Sequence, residues 1–210
     1  MATETKRPEG RYASVEFYEM LFCDNLKLYL DNAPEPTAYP WNRFLEYPRS
    51  LKGLKEIIDD PNLECRIKLL AYYLLREQGV EIKKKEVLGI VVEVVLHKGT
   101  DVLAAYSDNK VRFMHHSGRI TIWDKDDEIT KSLISQLFAK CDEAIKRIGP
   151  WEHGRLAPPK PGHARVSFLL SDGLYFGQGE NMFLFSDPIA VPTLTAALTL
   201  LEHITTGPPV

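Results

Sequence analysis

Adjacent histidines, His115 and His116, follow Asp101 and precede Arg119 in a strand-like region, residues 87–124. An imidazole with a carboxylate behind it is a general base, and a guanidinium beside it can hold an anion. Turn arithmetic brings such a set together. If Asp108-Asn109 is a two-residue hairpin turn, Tyr106 faces Val111, Val102 faces His115 and Asp101 faces His116. If Ser117-Gly118 is the next two-residue turn, His116 faces Arg119 and Arg112 faces Trp123. Asp101, His116 and Arg119 then form one row across three strands. In a small-molecule hydrolase His116 would be the catalytic base, Asp101 its orienter and Arg119 the anion holder. A solvated polar end of the sheet is the plainer account of the same residues.

A double histidine also suggests a metal. Successive strand residues point to opposite faces, so His115 and His116 are expected to diverge. His115 then belongs on the apolar face with Val111, Phe113, Ile120 and Ile122. No metal and no cofactor is therefore expected. A site built from His97, His115 and a carboxylate depends on the register at Lys98-Gly99, which the sequence leaves open. Cys23, Cys65 and Cys141 are far apart, and no CxxC pair exists. Gly177-Gln178-Gly179 lacks the spacing of a phosphate loop and reads as a flexible loop after a hairpin. GxGxxG, Walker, GxSxG and HExxH motifs are absent from the sequence. His153 and His163 flank a proline-rich connection and could line a cleft. Arg112 over Trp123 is expected as a cation–π contact. Glu93 interrupts an apolar strand. If buried it must be paired or have a raised pKa, and an edge or solvent position is the simpler expectation.

The elements that must position these residues follow from periodicity. Residues 14–30 carry Phe17, Leu21 and Leu28 at helical spacing, with a strand as the alternative. Ser50 can cap a helix bearing Leu54, Ile57 and Ile58, which Asp59-Asp60-Pro61 ends. Asn62 can cap the next, with Leu63, Ile67, Leu70 and Leu74 as its stripe, Glu64 and Lys68 as an i,i+4 pair, and Gly79 as its stop. Four short strands fill residues 87–124. Asp126 or Asp127 then caps a long helix with Ile129, Leu133, Leu137, Cys141, Ala144 and Ile148 on one face. After the connection at 151–162, Val166, Phe168 and Leu170 share a strand face, Ser171-Asp172-Gly173 turns, and residues 174–176 return. A last, mostly apolar helix at 188–204 should be buried.

The expected architecture is α+β: a mainly antiparallel sheet of about six strands in the order β4-α-β2-α, with helices packed on it. Residues 1–80 form an N-terminal helical region or subdomain, and residues 81–210 the sheet domain. Both faces of the strand at 89–96 are apolar, so both should be covered, by the chain or by a second copy.

With 210 residues and 44% hydrophobic composition, the chain can bury a core unaided. A formal net charge of −3 with mixed signs argues against nucleic acid as a partner. Lys83-Lys84-Lys85 reads as a solvated junction. Residues 1–10 lack the apolar core of a signal peptide, and no run approaches the ~20 apolar residues of a membrane span. A soluble, cytoplasmic protein is expected, with thiols kept reduced.

The run DVLAAYSDNKVRFMHHSGRITIWD, with IGPW and FLLSDGLYFGQG further on, resembles a group of uncharacterised bacterial proteins. The resemblance spans residues 88–202. It implies a bacterial, cytoplasmic protein and brings no assigned activity or functional residues. The leading expectation is a non-enzymatic binding or protein-interaction module, partnered by itself as a homodimer or by another protein. The small-molecule hydrolase is the alternative.

Overall fold

The computed structural model describes residues 15–206, so the polar start at 1–10 and Ser14 lie outside the described residues. In chain order the elements are α1 (Val15–Met20), α2 (Leu26–Asp31), α3 (Trp41–Leu45), α4 (Leu51–Asp59) and α5 (Cys65–Glu77). Then come β1 (Val87–Leu96), β2 (Gly99–Tyr106), β3 (Val111–Met114), β4 (Ile120–Trp123), α6 (Glu128–Lys140) and α7 (Asp142–Arg147). Last are β5 (His163–Leu170), β6 (Gly173–Glu180), α8 (Asn181–Leu184) and α9 (Ala190–Thr206). The described residues form one six-stranded antiparallel sheet in the order β4-β3-β2-β1-β5-β6, an α+β fold.

β1 is central, and the chain itself covers both of its faces. Val91 packs into a core shared with α1 to α5, whereas Ile90 and Val92 pack into one shared with α6, α7 and α9. The sheet is thus the middle of three layers. Among the described residues, no helix is long and apolar enough to cross a membrane.

Local signals set several boundaries. Ser50 Oγ accepts the Gly53 N–H at 3.1 Å and starts α4. Asp127 Oδ1 accepts the Thr130 N–H at 2.8 Å and starts α6. Gly79, at φ +75°, stops the chain after α5. The start of α5 is different. Asn62 does not cap it: it lies two residues before the N-cap Glu64, with its side-chain amide turned to Asp60 Oδ1 at 3.2 Å. The cap comes from Asp108, whose Oδ2 accepts the Cys65 N–H at 2.8 Å across the fold. Glu64 pairs with Lys110 and Arg66 rather than with Lys68.

The long helix breaks at Cys141 into α6 and α7, and its buried side is Thr130, Ile134, Leu137, Cys141 and Ile145. Ile129 is 61% exposed. The rotation has a cause: the Trp123 indole N–H donates to Thr130 Oγ1 at 3.0 Å and draws that hydroxyl inward. α9 is only half buried, with Leu198 exposed. Gly177-Gln178-Gly179 is not a loop but strand, paired to Val166, Arg165 and Ala164.

The β2–β3 and β3–β4 turns hold three residues, not two. Tyr106 N–H donates to Lys110 O at 3.0 Å around Ser107-Asp108-Asn109, and His115 N–H donates to Arg119 O at 2.9 Å around His116-Ser117-Gly118. The third residue of each is left-handed, Asn109 at φ +65° and Gly118 at φ +99°. That is the signature of a type I turn with a bulge. Each pairing therefore shifts by one: Leu103 faces Phe113, Val111 faces Trp123 and Met114 faces Ile120. Ile120 and Ile122 consequently sit opposite Met114 and Arg112, on the other face from Val111 and Phe113.

Candidate functional sites at the sheet end and in a cleft

The shifted register moves His116 out of the strand and into the turn. Asp101 still reaches it. Asp101 Oδ1 accepts the His116 backbone N–H at 2.7 Å and lies 2.9 Å from His116 Nδ1. His115 Nδ1 lies 2.7 Å from Ser117 Oγ. The two imidazoles do not diverge: their ring centroids are 3.9 Å apart. A turn residue does not obey the strand alternation, which is why the opposite-face argument fails here. Arg119 is exposed, beyond the turn, and does not join the row. His97 sits exposed in the β1–β2 turn. Gly99, at φ +142°, adopts a backbone that L side chains avoid, and a Cβ there would come 3.1 Å from His116 Cβ. Asp101 also edges a small apolar crevice of about 40 Å³ with Leu103, Phe185 and Leu198.

Arg112 does not stack on Trp123. It bonds Asp124 at 2.5 and 3.2 Å, and Lys125 takes the indole face instead. Glu93 is fully buried, not at an edge. The Tyr18 hydroxyl donates to its Oε1 at 2.9 Å, and Arg165 Nη1 lies 3.6 Å from Oε2. Arg165 also donates to Gln178 Oε1 and to the Ala157 carbonyl. This network ties α1, β1, β5 and β6 together.

A second recess lies elsewhere. A cleft of about 480 Å³ opens between α5, the α1–α2 connection, the 150–155 loop and the β5–β6 hairpin. Its apolar lining includes Phe22, Leu69, Leu169 and Leu174. Arg155 builds one wall, donating to Glu19 Oε2 at 2.5 Å and Asp24 Oδ2 at 2.9 Å. Burial lowers its pKa, but Asp24 and Glu19 outweigh burial and hold the guanidinium charged. Cys23, next to Asp24, takes a left-handed φ of +56°, a strained conformation for a residue with a side chain. Trp151 fixes the loop, its backbone N–H donating to Leu174 O at 2.7 Å.

Arg76 faces the same cleft. Its Nη1 donates to the Ser171 carbonyl at 2.6 Å. Among the described residues, no carboxylate oxygen lies within 4 Å of its nitrogens. Burial holds its pKa below the ordinary guanidinium value, with Asp172 only partly compensating. His153 lines this cleft, as its place beside the connection suggested, whereas His163 starts β5 outside it. Arg76 and Arg155 carried no sequence signal. Arg76 occupies the last turn of a helix, where basic residues are ordinary. No protein-family model, curated protein or solved structure matches the chain.

Proposed function

We propose that the chain is a non-enzymatic binding module whose cleft takes a small ligand with an anionic group and an apolar body. One observation carries this reading: a largely buried guanidinium, Arg76, that meets a single backbone carbonyl and no carboxylate among the described residues. A carboxylate or phosphate could take its remaining donors in a charge-assisted fork. The apolar lining would hold the rest of the ligand, and the volume falls in the range of small-molecule sites.

A thermal-shift panel of aliphatic and aromatic carboxylates and phosphate esters tests it, on the native chain and on Arg76→Met. A ligand at a hundred times its Kd adds about 2.7 kcal/mol. At ~2–4 °C per kcal/mol for a chain of this size, that is a shift of roughly 5–11 °C. No stabilising compound, or equal stabilisation of Arg76→Met, refutes the reading.

Protein partnership, including a homodimer, belongs to the same proposal. Met182 and Phe183 on α8, Phe185 just after it and Leu198 on α9 are exposed and favour an apolar contact. Light scattering tests self-association. The hydrolase alternative retains the Asp101–His116 pair, but Arg119 stands apart, and neither His116 nor Arg119 lines the cleft or the apolar crevice. Three buried free thiols favour a reducing, cytoplasmic setting, in keeping with the bacterial resemblance.

A further inference from the structure

We propose that Asp101, His115 and His116 bind a divalent transition-metal ion of the zinc class. The site is independent of the cleft and rests on different residues. One donor atom from each of the three side chains lies within 4.8 Å of the others. The central pair is closer still, His116 Nδ1 lying 2.9 Å from Asp101 Oδ1. Ligands at ~2.0–2.1 Å from one ion stand about 2.9 Å apart at a right angle and about 3.4 Å apart at the tetrahedral angle. The ion therefore takes the place of the proton now shared by these two atoms, with a widening of at most about 0.5 Å. Asp101 and His116 are half-buried, each with side-chain exposure of 24%, so a small rotation is open to both. A ring nitrogen of His115 completes the set.

The surroundings hold these donors in place. His115 Nδ1 is occupied by Ser117, whose Oγ lies 2.7 Å away and whose backbone N–H donates to it at 3.2 Å, so the ring is held with Nε2 left to meet an ion. The His115 backbone N–H is tied to Arg119 O and the His116 N–H to Asp101 Oδ1, so the turn carrying both rings is anchored before any ion arrives. Gly99 lies against His116 Cβ and walls off retreat on that side. Two imidazoles with one carboxylate suit zinc, cobalt, nickel or copper better than magnesium or calcium, which prefer all-oxygen sets. Three protein ligands leave further positions for water or another ligand.

The experiment is calorimetric titration of tag-free full chain with zinc chloride, repeated on His115→Ala, His116→Ala and Ser117→Ala. Cobalt(II) absorption reads the ligand set independently. The alanine variants keep the backbone bonds of the turn, and melting curves check that each is folded. Should His116→Ala fail to fold, Asp101→Asn replaces it, since Asn keeps an acceptor for the His116 N–H but loses the charge. One ion per chain is expected. Loss of either histidine should weaken it by more than the ~10–100-fold typical of an outer partner, and Ser117→Ala by roughly that outer-partner amount. Absence of zinc binding, or binding unchanged when His115 or His116 is replaced, overturns the proposal. The latter result would place the ion on other residues.

Discussion

Replacing Arg165 by methionine removes a cationic partner from the Glu93 carboxylate in the middle of the sheet. The two side chains are 3% and 0% exposed, with 3.6 Å between Arg165 Nη1 and Glu93 Oε2. At an effective dielectric constant of ~20, unit charges at that distance attract by about 4–5 kcal/mol. Desolvation offsets much of this in the intact protein. Removing one partner leaves the other's desolvation less compensated, and breaking a buried pair typically costs ~3–5 kcal/mol. At ~2–4 °C per kcal/mol, Arg165→Met should lower Tm by roughly 6–20 °C. Glu93→Gln removes the opposite charge and keeps an acceptor for the Tyr18 hydroxyl. The double variant completes a cycle that isolates the coupling from each side chain's packing. Urea unfolding at neutral pH supplies the four free energies. A coupling of at least ~2 kcal/mol is expected, and the double variant should be more stable than Arg165→Met alone. A coupling below ~1 kcal/mol, the level of exposed surface pairs, would refute the buried-pair reasoning.

Asp108→Ala removes the cap on α5 and should cost about 0.5–2 kcal/mol by urea unfolding, whereas Asn62→Ala should change little. Burial pushes the Glu64 carboxyl up, but Lys110 and Arg66 outweigh it and hold its pKa below the ordinary glutamate value. A folded pKa below the unfolded one means that the unfolded chain binds more protons in acid. The stability Glu64 contributes is therefore full above the unfolded value of ~4.3 and is lost as pH falls through the folded one. The native chain should be more stable than Glu64→Gln at pH 7, with the gap closing towards pH 3. Burial pushes the thiol of Cys65 up to about 11 and those of Cys23 and Cys141 up to about 12. Ellman's reagent at pH 8 should label almost none of them in the folded chain and all three in denaturant; rapid labelling of the folded protein would contradict this.

Elements whose signals are local were legible in the sequence: the Ser50 and Asp127 caps, the Gly79 stop and the alternation of Val166, Phe168 and Leu170 need only neighbouring residues. The covering of β1 on both faces was also legible, because a strand apolar on both faces must be covered on both. What the tertiary structure decided is whatever depends on a partner distant in the chain. Two-residue and three-residue turns differ by a single left-handed position, at Asn109 and Gly118, and that choice shifted every pair in β2, β3 and β4. It lifted His116 from strand to turn, so that neighbours expected to diverge stack together beside Asp101. Thr130, turned inward by Trp123, rotated α6 away from the stripe that periodicity marked. Glu93 found a charge partner on β5, and Asp108 capped a helix from across the fold, neither of which a sequence window can contain. Arg76 reads as an ordinary helix-end cation in the sequence; only the β5–β6 hairpin folding against α5 places it in the wall of the cleft.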